Sequence, residues 1–208
     1  MTNLLEQLNN QMAATIDTVH HSLVKISDGR TGVGAGTIWQ ADGLIITNAH
    51  VVQRDSLTVT LPDDRTFPAK LLAYDKSRDL AALSIEANDL RPINLGDSGH
   101  LQPGAWVFAI GHPWGVSGAV TAGAVIDVGL PPELPKAVGD FIQVGLHMRP
   151  GHSGGPLVDI YGRLVGINTM ITGPDVGLAI PVNDVKAFLQ KALAKETKTR
   201  ETAKAEYI

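Results

Sequence analysis

The stretch GAGTIWQADGLIITNAHVV, residues 34–52, sets the reading of the whole chain. Two short segments of strand character, VGAGTIW (33–39) and LIITN (44–48), are separated by Gln-Ala-Asp-Gly, a break of turn residues. The glycines of TGVGAG (31–36) do not form G-x-G-x-x-G, and no βαβ pattern surrounds them, so a dinucleotide site is not indicated. Glycine in a strand instead permits a bend or a close approach of another backbone. At the end of LIITN the apolar run meets a polar turn, reaches His50 and becomes apolar again. Rigid strand ends beside loops are where catalytic groups are commonly held. That context separates His50 from the other six histidines.

The same pattern continues outward. SLVKIS (22–27), LTVTL (57–61), LAALSI (80–85), AWVFAIG (105–111), VTAGAVIDVG (120–129), FIQVG (141–145), RLVGINTM (163–170) and VGLAIP (176–181) are each bounded by Gly, Pro, Asp or Asn. Short strands at this spacing, with hardly a helix between them, predict an antiparallel barrel or sandwich. The seam between two groups of strands falls at GDSGHLQPG, 96–104. Helices are predicted at the ends. Leu4, Leu8, Met12, Ile16 and Val19 form one apolar stripe, which either packs on the body or meets another subunit. Val182, Val185, Phe188, Leu189, Ala192 and Leu193 form another, with Asn183 or Asp184 as the expected cap. The tail KETKTRETAKAEYI reads as a solvated helix extension or as disorder.

Composition narrows the function classes. Hydrophobic residues make up 44% and charged residues 18%, a globular balance. A net charge of −4 offers no electrostatic reason to expect nucleic acid or an anionic membrane as partner. With no cysteine, disulfides, Cys-ligated zinc and thiol catalysis are excluded. No stretch approaches the roughly 18 apolar residues of a membrane span, and the N-terminus is a poor signal peptide. The expectation is a cytoplasmic location, or a periplasmic one if a leader has been removed.

Chemistry is concentrated in RPGHSGGPL, 149–157. Glycines on both sides of Ser153 suggest a backbone that is itself used, either in a tight turn or as a nest of N–H groups for negative charge. A serine nucleophile needs a base, and the base needs an orienting group. His50 suits the first role. Asp79, opening the strand of RDLAALSI, suits the second, because a partly buried carboxylate needs a partner such as an imidazole N–H.

Taken in order, TNAHVV, DLAAL and GHSGGPL resemble the His, Asp and Ser motifs of the chymotrypsin-type serine proteases. With GAGTIWQADGLIITNAHVV, AIGHPWG, GRLVGINTMI and VGLAIPVN, the chain is similar to the HtrA/Deg branch over roughly residues 20 to 190. The resemblance implies an all-β fold of two antiparallel six-stranded barrels with an N-terminal and a C-terminal helix. The expected division is a helical segment 1–21, barrels 22–100 and 101–181, and a helix with charged tail 182–208, with 22–195 as one protease domain. It also implies a Ser153–His50–Asp79 triad, an oxyanion hole built by Gly151, His152 and Ser153, and no cofactor or metal. The implied activity is endopeptidase cleavage of unfolded or exposed polypeptide. A runner-up is a catalytically quiet chaperone-like binder in which Arg149 and His152 spoil the oxyanion hole, and a metalloprotein using His112, His147 and His152 ranks third.

The pocket for the residue before the cut would use His147, Met148, Met170, Ile171 and Thr172. None is acidic, which disfavours Lys or Arg and favours an aliphatic residue. His152 departs from the asparagine common in the family, and Gly145 from a frequent aspartate. An N-terminal insertion that activates a zymogen is not expected. The resemblance further implies a homotrimer assembled through the N-terminal segment. No PDZ domain follows the protease helix in this sequence, so either a protease-only member or a truncated chain is expected, and the AEYI end would suit self-cleavage.

Overall fold

A strand with one apolar face hides it only against another sheet or by curling into a closed one. The computed structural model, which describes residues 3–29, 33–53, 56–172 and 175–205, shows the second solution twice. Strands β1 (Leu23–Ser27), β2 (Val33–Ile38), β3 (Leu44–Thr47), β4 (Leu57–Thr60), β5 (Thr66–Asp75) and β6 (Leu80–Ile85) close in the order β1-β2-β3-β6-β5-β4. Strands β7 (Trp106–Gly111), β8 (Ala119–Gly129), β9 (Phe141–Gly145), β10 (Pro156–Asp159), β11 (Leu164–Ile171) and β12 (Val176–Pro181) close in the equivalent order, β7-β8-β9-β12-β11-β10. Every pairing within the barrels is antiparallel. This is the double-barrel class that the sequence predicts.

All ten predicted strands form, with ends within one residue of their predicted bounds. Two strands were not anticipated. TFPAKLLAYD (β5) carries Pro68 and lacks an alternating apolar pattern, while PLVD (β10) is only four residues long and follows the glycines.

Three apolar cores result. Val24, Ile26, Ile45, Val59 and Leu83 fill the first barrel, and Val107, Ile142, Val144 and Leu157 fill the second. Between the barrels, Ala35, Leu44, Ile46 and Leu80 meet Ile110, Leu164, Ile167 and Leu178. Strand β3 therefore faces its own barrel with Ile45 and the seam with Leu44 and Ile46, which is why LIIT is apolar on both faces. Each such side chain, fully buried, contributes about 1.5–3 kcal/mol.

The helices refine one expectation and correct another. In α1 (Leu4–His20), the stripe splits: Val19 is buried and Met12 and Ile16 pack on the seam core, but Leu4 and Leu8 are exposed. In α2 (Val182–Ala205), neither Asn183 nor Asp184 precedes the helix as a cap, because both lie inside its first turn. The free Asn183 N–H is satisfied from outside by Ser98 Oγ (3.2 Å), and the Asn183 amide donates to Asp97 Oδ1 (2.8 Å). The helix runs through the charged segment to Ala205, and residues 206–208 lie outside the described residues.

Asp97 is held down to about 2 by the Asn183 amide, then by the Gly99 N–H and His100. A carboxyl that binds its proton less tightly in the folded state stabilises the fold above its unfolded value of about 3.9. That contribution disappears as pH falls toward 2. Thermal unfolding scans of Asp97→Asn should therefore show a flatter loss of stability between about pH 4 and 2 than the parent shows. Identical acid profiles would contradict this role.

Candidate active site

The register of β3 against β6 sets the first half of the site. Thr47 lies opposite Ala81, so the chain leaving β3 and the chain entering β6 emerge side by side. His50 sits just past β3 in a 3₁₀ turn (Ala49–Val51), and Asp79 immediately precedes β6. Asp79 receives His50 Nδ1–H on Oδ2 (2.8 Å) and His50 backbone N–H on Oδ1 (2.9 Å). This arrangement puts the ring proton on Nδ1 and leaves Nε2 to act as an acceptor. Asn48, fully buried, donates its amide to Asp79 O (3.0 Å).

The second half comes from the other barrel. Strand β11 slips register against β12 between Asn168 and Met170, and this bulge turns Thr169 toward the first barrel. Thr169 Oγ1 donates to Asp79 Oδ2 (2.5 Å). Burial alone would raise the Asp79 carboxyl, but donors from the His50 ring, Thr169 and the His50 backbone outweigh it. The net direction is below the ordinary carboxylate range, so Asp79 is a charged partner for the imidazole.

Ser153 lies in the same cleft as His50, a cavity of about 240 Å³ bordered also by Val51, Pro150 and Gly151. Its hydroxyl donates to Thr169 O (2.9 Å), and no hydrogen bond joins it to His50.

The Ser153 backbone is fixed by close approach. Ala35 N–H donates to Ser153 O (2.9 Å) and Gly154 N–H to Asn168 O (2.9 Å). A β-carbon on Gly154, which has φ +82°, would stand 2.1 Å from Ala35 O and 2.2 Å from Thr47 Oγ1. Upstream, His152 N–H donates to Arg149 O (3.0 Å), with Pro150 and Gly151 (φ +106°) at the two central positions. Pro followed by a left-handed Gly defines a type II turn. Gly151 and Ser153 N–H groups have no acceptor among the described residues, and both residues border the cleft.

The His152 ring is structural to that turn. It is buried, and its Nδ1 lies 3.1 Å from both the N and the O of Arg149, so the ring closes on the residue that opens the turn. Burial lowers its pKa, and with the Arg149 charge it outweighs the opposing hydrogen bond to the Arg149 backbone.

The expected pocket residues divide. Met148 is buried, and its Cε fills the space over Gly177, 2.5 Å from where a β-carbon would stand. Gly177 pairs with Ile171, so Met148 and the β11 wall adjoin. Met170 and Ile171 are exposed, and Thr172 N–H donates to Val176 O (2.9 Å). His147 is exposed, and its Nδ1 meets the Asp175 carboxylate. Consistent with that, His112, His147 and His152 form no metal-holding cluster among the described residues.

Residues 34–167 match the family model of the trypsin-like peptidase domain. The chain is 42% identical over 173 residues to Protease Do-like 1, chloroplastic, of Arabidopsis thaliana, covering 77% of this chain and 39% of that protein. It is 39% identical over 171 residues to the mitochondrial serine protease HTRA2 of Drosophila virilis, covering 79% and 41%. It thus spans about two fifths of the length of these relatives. Among solved structures, the HtrA-type protease AlgW with decapeptide superposes with a TM-score of 0.81 at 28% identity, covering 88% of this chain and 67% of that one. AlgW with tripeptide superposes with a TM-score of 0.79 at 33% identity, covering 86% and 61%. The chain belongs to the trypsin-like peptidases, and within them to the HtrA/Do-like serine proteases.

Sequence reasoning missed Thr169, Asn48 and Asn168. Each is a polar residue inside an otherwise apolar strand or at its end. Asn168, fully buried, donates to Pro156 O (3.0 Å) and so braces the segment after the serine. Thr169→Val removes one donor from Asp79. Its carboxyl should then titrate at higher pH, read by carbon-13 NMR, and the protein should lose about 1.5–3 kcal/mol at neutral pH. An unmoved carboxyl resonance would show that Thr169 does not hold the charge.

Proposed function

We infer that the chain is a serine endopeptidase cleaving unfolded or exposed polypeptide through Ser153, His50 and Asp79. The observation that carries this reading is the His50–Asp79 pair facing Ser153 across one cleft, with two unengaged amide N–H groups beside the hydroxyl. Ser153 leaves its hydrogen bond to Thr169 O, gives its proton to His50 Nε2 and attacks the scissile carbonyl. Asp79 holds the tautomer and offsets the imidazolium charge. The carbonyl oxygen becomes an oxyanion between Gly151 and Ser153 N–H, where each donor is worth about 2.7–4 kcal/mol of barrier. His50 returns the proton to the leaving amine. Water then repeats the sequence on the acyl-enzyme.

Buried Met148 and exposed Met170 and Ile171 support a reading in which apolar side chains receive the residue before the cut and favour an aliphatic one. The exposed Leu4, Leu5 and Leu8 support assembly of a homotrimer through the N-terminal segment. No helix among the described residues is long and apolar enough to cross a membrane. The relatives' names place those proteins in chloroplast and mitochondrion.

One observation favours a second reading, the quiet binder: the Ser153 hydroxyl rests on Thr169 O rather than on His50. An alkyl fluorophosphonate probe separates the two. The enzyme reading requires labelling between pH 6 and 9 that disappears in Ser153→Ala, and absence of labelling favours the binder. For hydrolysis, His50→Ala and Ser153→Ala should each lower kcat by about 10⁴–10⁶-fold. Met148→Ala should move a peptide-library cleavage profile toward larger aliphatic and aromatic residues, and an unchanged profile would remove Met148 from the pocket.

A further inference from the structure

Asp79 occupies a left-handed backbone conformation, φ +53°. A residue with a side chain holds that conformation only when its surroundings over-determine it, and such strain collects at functional sites. Local contacts account for part of the hold. Asp75 Oδ1 accepts from Ser77 N–H (2.9 Å), the Ser77 hydroxyl (2.6 Å) and Arg78 N–H (3.1 Å), shaping the turn between β5 and β6. None of these Asp75 contacts adds to the hold that Thr169, from the second barrel, has on Asp79.

The Arg78 side chain does. It is only 18% exposed and leaves the first barrel to pair with Asp184 in the first turn of α2. Its Nη2 also donates to Asp140 O (3.3 Å), and its guanidinium stands 5.7 Å from the centre of the Phe141 ring at the start of β9. Gly139 (φ +74°) makes room, since a β-carbon there would lie 2.2 Å from Nη1. A planar fork of donors, braced against a ring face and a carboxylate, resists displacement far better than a flexible ammonium would. The residue bonded directly to Asp79 is thus anchored on two elements of the opposite half.

We propose that Arg78 is a positioning residue for the Asp79 carboxylate, locking the turn that carries it to β9 and α2 so that both barrels present their groups in register. The proposal rests on the reading of Asp79 as the triad acid. It also makes the Asp184 end of α2 a point from which the geometry of the His50–Asp79 pair can be altered.

The test uses saturation kinetics of Ser153 labelling by an alkyl fluorophosphonate in Arg78→Met, Arg78→Lys, Asp184→Asn and Asp79→Asn, with thermal unfolding of each. Arg78→Met should lower the maximal labelling rate about 10- to 100-fold with half-saturation within twofold. Arg78→Lys should restore part of the loss, and Asp184→Asn should fall between the parent and Arg78→Met. The far-downfield proton resonance of the hydrogen held between His50 Nδ1 and Asp79 should shift or broaden in Arg78→Met and stay in place in Ser153→Ala. A fall in unfolding temperature with labelling rate and resonance unchanged would make Arg78 a structural tie only and overturn the proposal. If Arg78→Met does not fold, full labelling by folded Asp184→Asn and Arg78→Lys overturns it equally. Full labelling by Asp79→Asn would sink the triad reading instead, whereas inactive Asp79→Asn beside fully active Arg78→Met removes Arg78 alone.

Discussion

The geometry depends on how closely two backbones approach at the seam between the barrels. Ala35 N–H bonds to Ser153 O, and the adjoining Gly154 leaves no space for a β-carbon between Ala35 O and the Thr47 hydroxyl. That contact seats the Ser153 turn directly against β2, whose neighbour β3 delivers His50. The apolar seam core supplies the drive to associate, since area burial is strong but non-directional. The backbone hydrogen bonds and the missing side chain supply the registration that apolar packing lacks. Placement of a hydroxyl against an imidazole from another barrel needs both.

The charged part of the site follows the same economy. A carboxylate taken out of water must be satisfied by donors, or its ionised form becomes very costly. Asp79 is satisfied from both barrels at once, by His50 and its backbone on one side and Thr169 on the other. Its anchoring neighbour Arg78 likewise spans both halves. The Asp79 side chain therefore meets its full set of donors only when the barrels are assembled, which couples folding of the whole to completion of the site. His152 adds a neutral, buried ring that supports the turn carrying Gly151, and so takes part in shaping the backbone rather than in proton transfer.

Much of the architecture was legible because strand and turn signals are local. The apolar runs and their Gly, Pro, Asp and Asn boundaries located ten strands within a residue. β5 escaped because Pro68 and an irregular exposure pattern hide a long strand, and β10 because four residues carry too little periodicity. Of the site, His50, Asp79 and Ser153 stood out through strand-end context and order of motifs. Thr169 did not, because its reach to Asp79 depends on a bulge in β11, and a one-residue slip is invisible in a pattern of period two. Nor did the sequence show that the His147 ring meets Asp175. The α2 cap failed for a similar reason, since Ser98 satisfies the Asn183 N–H from a distant part of the chain.

By itself, the sequence determined the repeated short strands, the turns between them, the chain order of histidine, aspartate and serine, and the family these belong to. These are properties of neighbours along the chain, where steric preference and apolar alternation act directly. Only the tertiary structure decided that the Ser153 hydroxyl leans on Thr169, that Met148 fills the space over Gly177, and that Arg78 reaches Asp184. Thr169 and Asp79 lie 90 positions apart, and Arg78 and Asp184 lie 106 apart. No local preference encodes such meetings. They follow from closing two barrels and packing one on the other, after which the rotamers and hydrogen-bond partners at the seam are selected by the space that remains.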